Sequence, residues 1–157
     1  GGMITTVVGL DIATVTGWCR YDGESFTAGV LDCTPQASTE PEGVRFDRFA
    51  RELPGVLSGA DAVVIERTYS RGKRTAEVLN GLTAIALVEC ERLGCEYAFV
   101  DATTLKLFAT GSGRASKAQM VAAAEREFGR SCLTDDEADA YHLVRYWMGR
   151  LQPVAGQ

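Results

Sequence analysis

The sequence has few groups that could bind zinc and no segment that could cross a membrane. It contains one histidine, His142, and its five cysteines are odd in number and scattered, without CxxC spacing. A structural zinc site and a disulfide framework are therefore disfavoured, and reduced thiols are expected. No apolar run approaches the ~18 residues of a membrane span, and no charged-then-apolar signal segment is present. These absences predict a cytoplasmic protein with no membrane partner.

Composition and charge are ordinary for a globular protein. Of 157 residues, 46% are hydrophobic and 24% are charged, which predicts one domain over 1–157. Gly1 and Gly2, ahead of Met3, are interpreted as residue left by expression and are set aside. The net charge of −5 disfavours a nucleic-acid partner at first sight, but four basic side chains crowd positions 67–74. Net charge alone therefore does not decide for or against DNA.

Apolar runs and turn signals predict five strands, over 4–13, 15–21, 25–31, 60–66 and 95–100. The first is rich in β-branched residues, as in a buried central strand, and is interrupted by Asp11. The second and third are joined at Asp22-Gly23, a hairpin signal. The first three strands are therefore expected to form an antiparallel meander.

Helical spacing of apolar residues predicts helices over 44–54, 75–93, 101–108, 116–128 and from 134 to about 150. The first is expected to end near Pro54, and Asp101 is expected to cap the third. Gly94 is the expected C-terminal cap of helix 75–93, whose apolar residues cover more than one stripe. We therefore expect that helix to pack on the sheet and on a partner chain. The whole order predicts an α/β fold with a five-stranded mixed sheet, three antiparallel strands and then two parallel ones, with helices on both faces.

The segment 133–141 packs four carboxylates into five positions. Thr134 and Glu137 match a capping box, and Asp136 and Asp139 lie on one helix face. One interpretation is that these acids only favour the helix dipole. Another follows from Asp11 and Glu66, which stand in or at the end of apolar strands. Each could be a satisfied structural carboxylate, but an unpaired buried charge costs several kcal/mol.

Taken together, the four acids are better explained by one shared ion site. Oxygen ligands without histidine or thiolate suit Mg²⁺ or Mn²⁺. Four carboxylates are enough for two metal ions ~4 Å apart, the arrangement that hydrolyses phosphodiesters. The acids therefore indicate nucleic-acid hydrolysis.

In the order of these acids the chain resembles the RuvC-like Holliday junction resolvases, which have the RNase H-like fold. Leu105-Lys106 and the segment 110–119 look like the family's first lysine, glycine loop and second lysine, Lys117. The segment 136–140 is similar to its D-x-A-D-A helix start, and Tyr69 stands where the family has an aromatic residue. The resemblance spans roughly residues 4–148.

The resemblance implies site residues as well as a fold. The implied metal ligands, for two Mg²⁺ or Mn²⁺ ions in each site, are Asp11, Glu66, Asp136 and Asp139, with Asp135 and His142 as second choices. Lys106 and Lys117 would complete the catalytic set by contacting the scissile backbone or by stabilising developing charge, unless they are ordinary surface lysines. His142 could equally be a satisfied buried histidine.

The resemblance also implies partners. The implied partners are branched DNA, a four-way junction cut symmetrically on two strands, and a second copy of the chain docked through helix 75–93. Tyr69 would stack on an unpaired base, unless it only packs. The implied DNA contacts are Arg67, Tyr69, Arg71, Lys73, Arg74 and Arg114. The source would be bacterial, or a phage acting in the host cytoplasm.

Three other functions remain open. A nuclease of the same fold could act on flaps or other branched DNA. The segment from Gly9 to Gly17 is similar to the phosphate-binding turn of actin-like ATPases, but 157 residues leave little room for the second domain of that family. A non-catalytic DNA-binding module is disfavoured because all four acids are present.

Overall fold

The computed structural model describes residues 5–69, 72–131 and 133–151. Its elements are β1 (Val7–Asp11), β2 (Val15–Tyr21), β3 (Phe26–Asp32), α1 (Glu42–Leu57), β4 (Ala62–Arg67), α2 (Lys73–Leu93), β5 (Glu96–Asp101), α3 (Ala102–Thr110), α4 (Lys117–Phe128) and α5 (Asp135–Tyr146), followed by a π-helical turn over Trp147–Leu151. All the predicted strands and helices are present in the predicted order, with ends that differ by a few residues.

The five strands form one mixed sheet in the order β3-β2-β1-β4-β5. The pairs β1/β2 and β2/β3 are antiparallel, whereas β1/β4 and β4/β5 are parallel. The predicted fold class is therefore confirmed. Between β2 and β3 the Asp22 side chain accepts hydrogen bonds from the N–H groups of Glu24 and Ser25, at 2.9 and 2.8 Å, which closes the predicted hairpin.

Helices cover both faces of the sheet. On one face α1 and α2 pack over a layer that includes Val8, Leu10, Val63 and Ile65. On the other face α3, α4 and α5 pack over the alternate residues of the same strands, among them Val7 and Val64. Because successive strand residues point to opposite faces, both β1 and β4 are almost wholly apolar until they reach their acids.

The prediction that the first helix ends near Pro54 is wrong, because α1 continues to Leu57. Proline removes one helical hydrogen bond and crowds the preceding turn. The last turn is nevertheless held in place because Leu53, Val56 and Leu57 are 0%, 9% and 0% exposed. Burial of apolar side chains at about 1.5–3 kcal/mol each outweighs the cost of the proline.

Helix α2 has more than one apolar contact surface, as expected. Val78, Leu82, Ala86 and Cys90 are buried, and the Phe46 ring of α1 lies against Gly81 on another side. The helix ends at Gly94, whose φ of 66° is left-handed, so its predicted role as a cap is confirmed. Among the described residues, no helix is both long and apolar enough to cross a lipid bilayer.

Helix α5 lies unusually close to the sheet at two glycines. A Cβ atom on Gly9 of β1 would overlap the carbonyl group of Ala140, and one on Gly17 of β2 would overlap the backbone of Asp136. Gly17 pairs with Asp11 in the β1/β2 register. The two glycines therefore bring the acidic start of α5 directly over the end of β1.

Candidate active site

Three carboxylates from distant parts of the chain meet at one end of the sheet. Asp11 ends β1, and Glu66 lies near the end of the parallel neighbour β4. Asp139 reaches the same place from α5. Each of the three offers an oxygen within 4.8 Å of the others. The carboxyl ends of adjacent parallel strands and one helix thus form a compact acidic cluster.

Asp136, the fourth predicted ligand, adjoins this cluster at Asp11. A side-chain hydrogen bond between Asp136 and Asp11 contributes to raising the pKa of Asp11 and acts to lower that of Asp136. Thr134 caps the helix as predicted: its hydroxyl accepts from the Glu137 N–H, and the Glu137 carboxylate accepts from the Thr134 N–H, both at 3.1 Å. The structure therefore brings all four predicted acids together.

Burial and mutual repulsion raise the pKa values of these acids. Burial is the largest cause of the rise in the pKa of Asp11 to about 9, and repulsion from Glu66 and Asp139 adds to it. Burial followed by repulsion from Glu66 raises the pKa of Asp139 to about 7. The pKa values of Glu66 and Asp136 are also raised, chiefly by burial.

The acidic cluster has the properties of a cation site. Glu66 Oε2 is buried without a hydrogen-bond partner. Four carboxyl groups cannot all ionise in a partly buried site unless a positive charge compensates them. Carboxylate oxygens are hard ligands of the kind that Mg²⁺ and Mn²⁺ prefer. The donor set and the orphaned oxygen therefore fit divalent cations.

The two predicted lysines flank the cluster on different sides. Lys106 of α3 lowers the pKa values of Glu66 and Asp139 by its charge, although burial outweighs it. Lys117, at the start of α4, lies 3.4 Å from Asp135 and is 87% exposed. Asp135 is therefore engaged with Lys117, and Asp136 is the residue whose side chain bonds to Asp11.

His142 lies in the packed layer beneath α4. It is 1% exposed, and its Nε2 atom is 2.9 Å from the carbonyl oxygen of Met120. Burial lowers its pKa. Its surroundings match those of a satisfied buried histidine, which was the alternative interpretation of this residue.

A cleft of about 450 Å³ opens beside the acids. It is lined by Asp11 and Asp136 at one end and by Tyr69, Val78 and Leu79 among others. The Tyr69 ring is 81% exposed, so it is available for contact with a ligand. This exposure fits a stacking role better than a packing role.

The predicted basic DNA contacts lie in different environments. The guanidinium of Arg67 lies 4.1 Å from the centre of the Phe99 ring, in a cation–π contact. Lys73 and Arg74 are exposed on the first turn of α2, and Arg114 is exposed between α3 and α4. Arg71 lies outside the described residues.

Two features of the site were missed by sequence reasoning. Gly9 and Gly17 admit α5 to the sheet, and the signal that could have revealed them is glycine inside a strand pattern. Glu137 is more than a cap, because it is 6% exposed and its Oε2 atom lies 3.6 Å from Arg130 Nη2. A partner seven residues away across a loop leaves no recognisable pattern in the sequence.

The chain is similar in sequence to two curated proteins that carry the same name. No family model matches the chain. The chain is 34% identical over 104 residues to a crossover junction endodeoxyribonuclease RuvC of Anaeromyxobacter sp. (strain Fw109-5), covering 62% of this chain and 50% of the relative. It is 33% identical over 112 residues to the protein of that name from Anaeromyxobacter sp. (strain K), covering 62% and 60%. The match thus spans about half the length of these curated relatives.

Solved structures share the fold over nearly the whole chain. The structure described as T. thermophilus RuvC in complex with a Holliday junction substrate has a TM-score of 0.76 at 19% identity, covering 88% of this chain and 90% of that one. A second Thermus thermophilus RuvC structure has a TM-score of 0.71 at 19% identity, covering 91% and 95%. The predicted RNase H-like fold and the resemblance to RuvC are therefore confirmed.

Proposed function

We propose that this chain, which is similar to RuvC in sequence and shares its fold, is a metal-dependent endodeoxyribonuclease that resolves four-way DNA junctions. It cuts two opposed strands symmetrically by phosphodiester hydrolysis. The observation that carries the proposal is the meeting of Asp11, Glu66 and Asp139 within 4.8 Å, with Asp136 hydrogen-bonded to Asp11. A non-catalytic DNA-binding module would gain nothing from four mutually repelling acids.

In this proposal Asp11, Glu66, Asp136 and Asp139 hold Mg²⁺ or Mn²⁺, two ions in each site. Bound there, such ions supply an activated water and stabilise the leaving oxygen of the phosphodiester. The four acids come from two strands and one helix, so metal binding there would join β1 and β4 to α5.

Two lysines supply positive charge where negative charge builds up on the phosphate. Lys106 acts from the side of Glu66 and Asp139, whose pKa values its charge acts to lower. Lys117 exchanges Asp135 for a phosphate oxygen, since its side chain is 87% exposed and an exposed ion pair contributes little free energy. An ammonium on a flexible stem suits both tasks.

The strand being cut enters past Tyr69. Its exposed ring stacks on an unpaired base at the junction centre, beside the cleft that leads to Asp11 and Asp136. Lys73, Arg74 and Arg114 contact phosphates on either side. Arg67 is held on Phe99, which fixes its guanidinium near the strand that carries Glu66.

A second copy of the chain docks on α2. One side of α2 lies on the sheet and another against Phe46 of α1. Beyond the buried stripe of α2, Leu87 is only partly buried and Val88 next to it is 50% exposed. A two-fold dimer through this side gives two active sites, as symmetric cleavage of a four-way junction requires.

The test is cleavage of end-labelled synthetic four-way junctions with Mg²⁺, run beside flaps and linear duplexes. Wild type is expected to make paired, symmetric cuts in the junction, and Asp11→Asn is expected to make none. Asp101→Asn, an exposed acid at the same end of the sheet, is the matched control and should cleave normally. Undiminished cleavage by Asp11→Asn would contradict the proposed site. Preferred cleavage of flaps would favour the second nuclease function instead.

The glycines that make the segment from Gly9 to Gly17 similar to an ATPase phosphate-binding turn can be explained without a phosphate site. Gly9 and Gly17 already have a structural reason, because α5 contacts the sheet where a side chain would overlap it. These contacts account for both glycines without a bound phosphate.

A further inference from the structure

We infer that Arg130, acting through Glu137, is a positioning residue that holds the metal-binding acids of α5 in place. The inference concerns the chain's own residues and rests on the proposed metal site. One acid of the segment 133–141 does not join the others. Glu137 stands between Asp136 and Asp139, yet it is not among the three acids that lie within 4.8 Å.

Glu137 points into the protein on the other side of the helix from the acids. It is 6% exposed, and its charge contributes, after burial, to raising the pKa of the Cys19 thiol on β2 to about 12. A carboxylate in such surroundings needs a positive partner, because the interior does not solvate its charge. Asp135 and Asp136 next to it make the need greater.

Arg130 provides that partner. Its Nη2 atom lies 3.6 Å from Glu137 Oε2, and its Nη1 atom donates to the carbonyl oxygen of Ala28 at 3.4 Å. Arg130 belongs to the loop between α4 and α5, whereas Ala28 belongs to β3. One guanidinium therefore ties the first turn of α5 to the sheet.

The same turn is held at a second point. Glu137 Oε1 accepts from the Thr134 N–H at 3.1 Å, and the Leu133 N–H donates to Glu125 Oε2 at 3.1 Å. Both oxygens of Glu137 are thus engaged, one by the helix cap and one by Arg130. Because Asp136 precedes Glu137 by one residue and Asp139 follows it by two, any rotation of this turn moves both acids.

Loss of Arg130 leaves a buried carboxylate unpaired beneath the site. The first turn of α5 then shifts to bring that charge to water, and the acids leave their positions over Asp11. Outer residues that orient metal ligands typically change metal affinity by about 10–100-fold. We therefore expect Arg130→Gln to weaken metal binding at least about tenfold.

The experiment measures Mn²⁺ binding alone, by electron paramagnetic resonance titration without DNA, in Arg130→Gln, Glu137→Gln and the double variant. Glutamine at position 137 keeps the oxygen that accepts from the Thr134 N–H and removes the charge that requires Arg130. The double variant is therefore expected to bind Mn²⁺ as Glu137→Gln does, and more tightly than Arg130→Gln. Arg126→Gln, an exposed arginine near the end of α4, is the control and should match wild type.

Junction cleavage gives an independent readout. Because Arg130 acts on the acids and does not touch DNA in this inference, Arg130→Gln should lower kcat and leave KM unchanged, with partial rescue by Arg130→Lys. Wild-type Mn²⁺ affinity in Arg130→Gln would overturn the inference, as would weaker Mn²⁺ binding by the double variant than by Glu137→Gln. The latter comparison still decides if Arg130→Gln does not fold. If wild type cleaves no junction, the proposed function fails, while the Mn²⁺ titrations still test the positioning role.

Discussion

Asp11→Asn is expected to stabilise the metal-free protein while it abolishes catalysis. Most substitutions of a buried residue destabilise a fold. Here the native aspartate is itself unfavourable without a cation, because it is half-buried beside three other acids. Asparagine has a similar shape, carries no charge and can still donate a hydrogen bond to Asp136.

The magnitude follows from the pKa of Asp11. Its rise from 3.8 to about 9 means that the folded chain retains a proton which the unfolded chain releases above pH 4. Stability is therefore lost as pH rises from about 4 toward 9, since the unfolded state binds fewer protons throughout this window. Because pH 7 lies ~3 pH units above the ordinary pKa of this group, the stability lost by pH 7 is roughly 4 kcal/mol. Relaxation of the site and entry of water reduce this, so a gain of roughly 2–4 kcal/mol is expected.

The assay is urea unfolding at pH 7.5 with a chelator, repeated at pH 5. The midpoint of Asp11→Asn should exceed that of wild type at pH 7.5, and the difference should shrink at pH 5. Addition of Mn²⁺ should stabilise wild type more than the variant, because only wild type keeps the full ligand set. Asp101→Asn should change stability by less than about 0.5 kcal/mol. The reasoning is refuted if metal-free Asp11→Asn is no more stable than wild type at pH 7.5.

Three further predictions concern packing, metal affinity and assembly. Gly17→Ala should destabilise the fold by roughly 1–3 kcal/mol in thermal unfolding because its methyl group overlaps the backbone of α5, whereas Gly43→Ala in open space on α1 should not destabilise it. Mn²⁺ affinity, measured by calorimetry, should rise steeply from pH 6 to pH 8. The reason is that burial and repulsion raise the pKa of Asp139 to about 7, so a cation must displace its proton. An affinity that does not change with pH would contradict this. Leu87→Glu should yield monomers in sedimentation velocity and abolish paired cleavage. Leu107→Glu, at an exposed leucine of α3, is the control and should remain dimeric. A dimeric Leu87→Glu would place the interface elsewhere.

Much of the fold was predictable from local patterns. The β-branched run that Asp11 interrupts, the hairpin signal at Asp22-Gly23 and the capping box of Thr134 each involve residues a few positions apart, so short-range physics decides them. The end of α1 was not predictable in this way. Pro54 is a local stop signal, and only the burial of Val56 and Leu57 against the sheet shows why the helix continues.

The candidate site was also predictable only in part. The sequence indicated which acids meet, because Asp11 and Glu66 stand in apolar strands and carry an unusual charge for such positions. It also indicated the lysines and Tyr69 through the resemblance. It did not indicate that Asp136 bonds to Asp11 while Asp135 pairs with Lys117, since both acids have suitable spacing on the helix.

The sequence by itself therefore determined the order of the strands and helices, the caps at Gly94 and Thr134, and the candidate acids, because these depend on neighbouring residues and on residue type. The tertiary structure decided which of these groups meet. It set the pKa values of the acids through burial, admitted α5 at Gly9 and Gly17, and turned Glu137 away from the cluster toward Arg130. Each of these results depends on distances between residues far apart in the chain, and such distances exist only once the sheet and its helices have packed.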